Sequence, residues 1–216
     1  MFGSTTLDIT GADGGPVPHW FLPADGESSH LALLLPGRAY ALEMPLMLYS
    51  AKLLHERGVD VLGINYTTYT ADPDMSTDEI KRRLGSDVLA ALNAGLEQRP
   101  YERITLLGKS LGTIAMGRLI TADPRLADAG CIWMTPLLLM EDLRKQIAAS
   151  PRRALFIGGT ADEQFDLEHL AELEKATGGR SLVLEGANHI LELPGDVVHS
   201  IGYLERTMRS IDEFVR

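Results

Sequence analysis

The chain has 216 residues, of which 45% are hydrophobic and 23% are charged, as in a globular protein with a full core. Residues 1–216 are therefore predicted to form a single domain. The formal net charge of −10 argues against nucleic acid and anionic membranes as partners, because both select basic surfaces.

The N-terminus and the cysteine content indicate where the chain resides. Residues 1–4 lack the basic and apolar segments of a signal peptide, and no apolar run reaches membrane-spanning length. The single cysteine, Cys131, lies in an apolar run and is expected to be a buried small hydrophobe. These features favour a cytoplasmic location. We expect neither a metal ion nor a cofactor.

The first half of the chain alternates between strand and helix patterns. In order, strands are predicted at 7–10, 17–22 and 30–35, a helix at 44–57, a strand at 59–66 and a helix at 78–98. The first two strands flank a glycine-rich turn, which suggests an opening hairpin. The third is continuously apolar, as in a strand buried on both faces of a parallel sheet. In the long helix, Val88, Leu89, Leu92 and Leu96 are predicted to share one apolar face.

The second half continues the alternation. Strands are predicted at 104–107, 130–135, 153–158 and 181–184, helices at 114–120, 167–177 and 200–215, and a loop with a short helix at 137–149. This order predicts an α/β fold with a mainly parallel β-sheet and helices on both faces. Functional groups in such folds collect at the carboxyl ends of the strands.

The most informative stretch is Gly-Lys-Ser-Leu-Gly at 108–112. A strand pattern leads into it and a helix pattern follows, so Ser110 stands at the apex of a sharp turn. The glycines on either side give the clearance that a strand and a helix need when they pass close together. This pattern is the nucleophile elbow, which lifts a serine hydroxyl above the sheet edge.

This stretch has two other interpretations. Gly108-Lys109-Ser110 also resembles the end of a phosphate-binding loop, but that motif needs a glycine at position 103, which is Arg103 here. The alternative is a tight strand–helix turn with an ordinary serine, because short motifs occur by chance. The rest of the chain decides between these interpretations.

Three reactive side chains follow predicted strands, in the order Ser110, Asp162, His189. The motifs that carry them are Gly-Lys-Ser-Leu-Gly at 108–112, Gly-Gly-Thr-Ala-Asp at 158–162 and Gly-Ala-Asn-His at 186–189. Together they resemble the α/β-hydrolase superfamily, whose catalytic triad runs in this order. The resemblance extends from about residue 30 to the C-terminus.

The resemblance implies a role for each residue. Ser110 would be the nucleophile, His189 the base that takes its proton, and Asp162 the acid that orients the imidazole. Asp166 and Glu163 are local competitors for the last role, and the strand-end position favours Asp162.

The family pattern also implies an oxyanion hole made of two backbone N–H groups, those of Leu111 and Arg38. Many relatives have His-Gly where this chain has Pro36-Gly37, and histidine where it has Lys109. Arg38 and Lys109 would then lie near the nucleophile. They either attract a carboxylate or phosphate on the substrate, or pair with local acids such as Glu43 and Glu163, and we favour the pairing.

Many relatives insert a lid where this chain has only residues 136–152, so no cap domain is expected. The predicted open site is walled by apolar and aromatic side chains: Tyr40, Leu137, Leu138, Leu139 and Met140, with Tyr66 and Tyr69 opposite.

The resemblance implies a small serine hydrolase that cleaves carboxylic esters through an acyl-enzyme. Thioesters, lactones and amides are open alternatives, since the same triad cleaves them. A binding protein without turnover is another, because fold does not fix function. The expected partner is a small ester-type molecule; the oligomeric state is left open.

Overall fold

The computed structural model describes residues 3–11, 13–66, 70, 72, 74–149 and 153–216. The strands are β1 (His19–Leu22), β2 (His30–Leu35), β3 (Asp60–Ile64), β4 (Arg103–Lys109), β5 (Gly130–Met134), β6 (Ala154–Gly159) and β7 (Arg180–Leu184). The helices are α1 (Pro45–Glu56), α2 (Thr77–Leu96), α3 (Leu111–Ala122), α4 (Glu141–Ala148), α5 (Leu167–Thr177) and α6 (Val197–Val215), with a 3₁₀ turn at Pro124–Leu126.

The strands form one sheet in the order β1-β3-β2-β4-β5-β6-β7. β1 pairs with β3 in the antiparallel direction, and the other neighbours are parallel. Every residue of β2, β3, β5 and β6 is buried, because both faces of the sheet are covered. Side chains of α2, α3, α4 and α5 pack on one face, and those of α1 and α6 on the other. The predicted fold class is confirmed.

Apart from shifts at the ends of elements, two details of the predicted elements are wrong. Residues 7–10 form no strand; Thr10 makes only an isolated bridge to Pro16, and proline has no N–H with which a ladder could continue. Leu89 does not share the buried face of α2. It is 41% exposed, because it lies about 100° round the helix from Val88.

The helix ends follow local chemistry. Ser76 caps α2, since its hydroxyl accepts from the Glu79 N–H while the Glu79 carboxylate accepts from the Ser76 N–H. After α5 the chain turns at Gly178, whose φ of +64° is easily adopted by glycine.

The connection between β5 and β6 bears on access to the sheet edge. Its described part contains a single helix, α4, so no cap domain stands above the sheet there. Among the described residues, none of the helices is both long and apolar enough to cross a bilayer.

Candidate active site

Ser110 lies at the carboxyl edge of the sheet, between β4 and α3. Its φ of +50° is strained for a residue with a side chain, and its N–H donates to the Met134 carbonyl at 3.0 Å. The turn fits only because residue 112 is glycine: a Cβ there would lie 2.0 Å from the Leu35 carbonyl oxygen. β4, β2 and α3 therefore meet closely enough to hold the serine in this conformation.

His189 connects Ser110 to Asp162. Its Nδ1 lies 2.8 Å from Asp162 Oδ2, and its Nε2 lies 2.8 Å from Ser110 Oγ. A carboxylate only accepts, so Nδ1–H donates to Asp162 and the Ser110 hydroxyl donates to Nε2. The Asp162 side chain is 2% exposed, and its Oδ1 accepts from the Gln164 N–H at 3.0 Å. The three residues form one continuous hydrogen-bonded chain.

The neighbouring acids do not reach His189. Asp166 caps α5, where its carboxylate accepts from the His169 N–H at 2.8 Å, and Glu163 is exposed. The end of β6 brings Asp162 to the imidazole because Gly159 lets the loop after β7 pass close by. A Cβ at residue 159 would lie 2.1 Å from the Ala187 carbonyl oxygen.

The two predicted oxyanion donors belong to segments that border Ser110. Leu111 begins α3, so its N–H is one of the first-turn groups that the helix itself does not bind. Arg38 occupies the turn between Gly37 and Tyr40, and a Cβ at residue 37 would be 3.5 Å from Ser110 Cβ. The Arg38 side chain is exposed, and its Nε donates to the Thr70 carbonyl at 2.7 Å.

Tyr66 does not line the site, contrary to the prediction. It is fully buried, and its hydroxyl donates to the Pro36 carbonyl, where it supports the turn that carries Arg38. Tyr69 lies outside the described residues.

For Lys109, both predicted roles are wrong: attraction of a substrate anion and pairing with a local acid. Its side chain is 1% exposed, so it faces neither a substrate nor solvent. Its Nζ donates to Thr135 Oγ1 at 3.2 Å and to the His189 carbonyl at 3.0 Å, and it lies 4.5 Å from the centroid of the Tyr40 ring. Burial lowers the pKa of Lys109 to about 8, while the charge of Asp162 acts in the opposite direction.

The predicted apolar wall is wrong in part. Leu138 is fully buried in the core and has no surface for a substrate. Leu137 and Met140 are half-buried and pack against the same core, while Leu139 is 53% exposed. Tyr40 is buried, but it borders a pocket on the other side of the site.

This pocket, of about 240 Å³, lies between Tyr40, the start of α1, the loop after His189 and the first turns of α6. Most of its walls are apolar: Pro45, Leu46, Ile190, Leu191, Leu193, Pro194, Val197, Ile201 and Leu204. Its rim is exposed, by 75% at Val197 and 61% at Ile201. Glu192 contributes the one carboxylate among the lining residues, and burial followed by the Glu192 charge raises the pKa of Tyr40.

Sequence reasoning missed this pocket for an identifiable reason. The helix predicted at 200–215 begins three residues earlier, where Asp196 caps α6 by accepting from the His199 N–H. The adjacent apolar residues Val197 and Val198 were the available signal, since both stand on an exposed helix start close to His189 in the sequence.

No family model matches the chain, and no curated protein does. Solved structures do. A candidate α/β hydrolase of unknown function from Agrobacterium tumefaciens has a TM-score of 0.76 at 19% identity, over 96% of this chain and 93% of its own. An esterase from Pyrococcus furiosus has a TM-score of 0.73 at 15% identity, over 98% and 91%. A serine hydrolase without a lid from Xanthomonas campestris has a TM-score of 0.68 at 19% identity, over 97% and 95%.

Proposed function

We propose that this chain, which has the α/β-hydrolase fold, is a serine hydrolase that cleaves carboxylic esters through an acyl-enzyme. One observation carries the proposal: Ser110, His189 and Asp162 form a hydrogen-bonded chain with both links at 2.8 Å. A serine hydroxyl is a weak nucleophile at neutral pH, and this arrangement gives it an adjacent, oriented base. The esterase and the serine hydrolase among the similar structures support the same class.

The first half of the reaction forms the acyl-enzyme. Ser110 Oγ attacks the carbonyl carbon while its proton passes to His189 Nε2, and the imidazolium is stabilised by Asp162. The negative charge on the carbonyl oxygen is met by the N–H groups of Leu111 and Arg38. His189 then returns the proton to the leaving oxygen as the carbon–oxygen bond breaks, and an alcohol departs.

The second half releases the acid. His189 takes a proton from a water molecule, whose oxygen attacks the acyl carbon, and the Ser110 oxygen leaves with that proton. The net change is addition of one water across the ester bond, with the protein regenerated.

The substrate we propose carries an uncharged apolar group. The apolar pocket whose lining includes Ile190, the residue after His189, supports this choice, because burial of such a group removes apolar surface from water. Glu192 disfavours a carboxylate or phosphate there through like-charge repulsion. Thioesters, lactones and amides would react with the same catalytic residues, so they are alternative substrates.

The test is covalent labelling combined with turnover. A fluorophosphonate probe is expected to modify Ser110, identified by peptide mapping, and to abolish hydrolysis of p-nitrophenyl acetate. Ser110→Ala should remain folded and unlabelled, because the change removes one small hydroxyl. Native protein that stays unlabelled and hydrolyses none of the ester, thioester, lactone or amide probes would instead be a binding protein without turnover.

A further inference from the structure

The proposed mechanism gives no role to Lys109, a charged residue of the site. Lys109 precedes Ser110, and its side chain is 1% exposed. A buried ammonium group is costly unless its donors and its charge are satisfied. A lysine in this position therefore needs a physical reason.

The ammonium group of Lys109 joins four segments of the site. It donates to Thr135, which follows β5, and to the backbone carbonyl of His189, after β7. It also stands over the ring of Tyr40, after β2, while Lys109 itself ends β4. The hydrogen bond to the His189 carbonyl, at 3.0 Å, restrains the residue whose ring must reach Ser110.

The titratable groups that face this ammonium come from three segments: Asp162, His189 and Tyr40, with Glu192 acting on Tyr40 from the pocket side. The Asp162 side chain is 2% exposed, and its Oδ2 lies 2.8 Å from His189 Nδ1. Lys109 and Asp162 make no direct ion pair among the described residues, but both contact His189: Lys109 Nζ lies 3.0 Å from its backbone carbonyl and Asp162 Oδ2 lies 2.8 Å from its Nδ1.

We propose that Lys109 is a positioning residue of this site, which holds the backbone of His189 and supplies the positive charge that balances the buried carboxylate of Asp162. The kinetic part of this inference rests on the proposed function. The charge balance does not, because it concerns the folded protein alone.

The balance has a direct consequence for the base. Without Lys109, the charge of Asp162 is uncompensated and draws a proton onto the imidazole. A protonated imidazole cannot accept the Ser110 proton. The acid limb of the pH profile, where kcat/KM rises with pH, therefore moves to higher pH. A residue that served packing alone would change kcat or stability and leave that limb where it was.

The kinetic experiment compares three variants with the native enzyme on p-nitrophenyl acetate. In Lys109→Met the acid limb should move up by about one pH unit. At a pH well below the acid limbs of both the native enzyme and the variant, kcat/KM of the variant should therefore be about tenfold lower. Thr135→Val removes one hydrogen-bond partner but keeps the ammonium charge, so the limb should stay in place. Lys145→Met, at an exposed lysine paired with Glu141, controls for the loss of one positive charge and should match the native enzyme. An unmoved limb in Lys109→Met overturns the inference.

The stability experiment is a double-mutant cycle with Asp162→Asn, followed by urea unfolding. Lys109→Met should lower the unfolding midpoint more in the native background than in the Asp162→Asn background, where no carboxylate is left to balance. If Lys109→Met alone fails to fold but the double variant folds, the charge balance is supported. Equal losses in both backgrounds, or failure of both to fold, overturn it.

The two proposals can fail separately. A native protein that is neither labelled nor hydrolytic refutes the proposed function, while the urea cycle still decides the charge balance. An active native enzyme with an unmoved limb in Lys109→Met refutes the inference alone.

Discussion

At the residue scale, the choice between two aspartates four positions apart is open to a direct test. Asp162→Asn should lower kcat by on the order of 10³–10⁴, because an amide no longer holds the His189 ring in the required tautomer. Asp166→Asn is the matched control: asparagine is also a good helix cap, so α5 should persist and activity should change little. Steady-state kinetics on p-nitrophenyl acetate measures both, and a reversed pair of results would move the acid to Asp166.

Single residues differ in how far they can be predicted from sequence. Ser110, Asp162 and His189 each lie in a short motif after a strand, so local pattern and chain order were enough to propose them. The environment of Lys109 could not be predicted in this way, because its partners Thr135 and the His189 carbonyl are 26 and 80 residues away. A contact with a backbone carbonyl cannot be predicted from residue type, because every residue has that group.

At the scale of elements, β2 and β4 pair at their starts, which places His30 close to Arg103 and Arg153. His30 Nε2 lies 2.8 Å from Thr105 Oγ1, and burial, followed by the charges of Arg103 and Arg153, lowers the pKa of His30 to about 4. In the unfolded chain a histidine titrates near its ordinary value of about 6.5. Between these values the unfolded chain binds a proton that the folded protein does not.

This difference predicts acid-sensitive stability. The free energy of unfolding should fall as the pH drops from about 6.5 to 4, by on the order of 2 kcal/mol after allowance for solvent screening. Urea unfolding at intervals of pH measures the slope, and His30→Gln, which cannot titrate, should flatten it. The same slope in both proteins would mean that other groups cause the acid sensitivity.

Elements with strong periodicity were predicted well. β2 and α5 have the predicted bounds, 30–35 and 167–177, since one is a continuous apolar run and the other ends at a glycine. The start of α6 was missed because Val197 and Val198 are β-branched and do not resemble a helix start, although the Asp196 cap overrides that preference. The missed turn carries part of the pocket wall. Of the predicted wall, Tyr40 borders this pocket, whereas residues 137–140 do not.

At the scale of the whole molecule, the short connection between β5 and β6 limits substrate size. Under the proposed function, a pocket of about 240 Å³, over which the described residues place no cap, would enclose a small apolar group, and a longer chain would lie in water. Full burial would be worth about 0.8 kcal/mol per methylene, roughly fourfold in affinity, and this gain ends where enclosure ends. kcat/KM is therefore expected to be flat or falling beyond about four to six acyl carbons.

A series of p-nitrophenyl esters from acetate to palmitate, at fixed detergent, measures this limit. No activation at a lipid interface is expected, because the described part of the chain forms no lid that could open. A steady rise in kcat/KM out to palmitate would require a deep apolar tunnel and would contradict the open pocket.

The strand order also governs when the site can exist during folding. β2 pairs with β4, whose partner residues are more than 70 positions away along the chain, and Ser110 meets His189 across 79 positions. Contacts of such long range form late and slowly, since chain closure precedes any gain from pairing. No partly folded chain that lacks β4, β6 or β7 can bring the three side chains together. If Ser110 is the nucleophile that we propose, its reactivity toward a covalent probe measures the fraction of completely folded molecules, and labelling at successive times would follow the course of refolding.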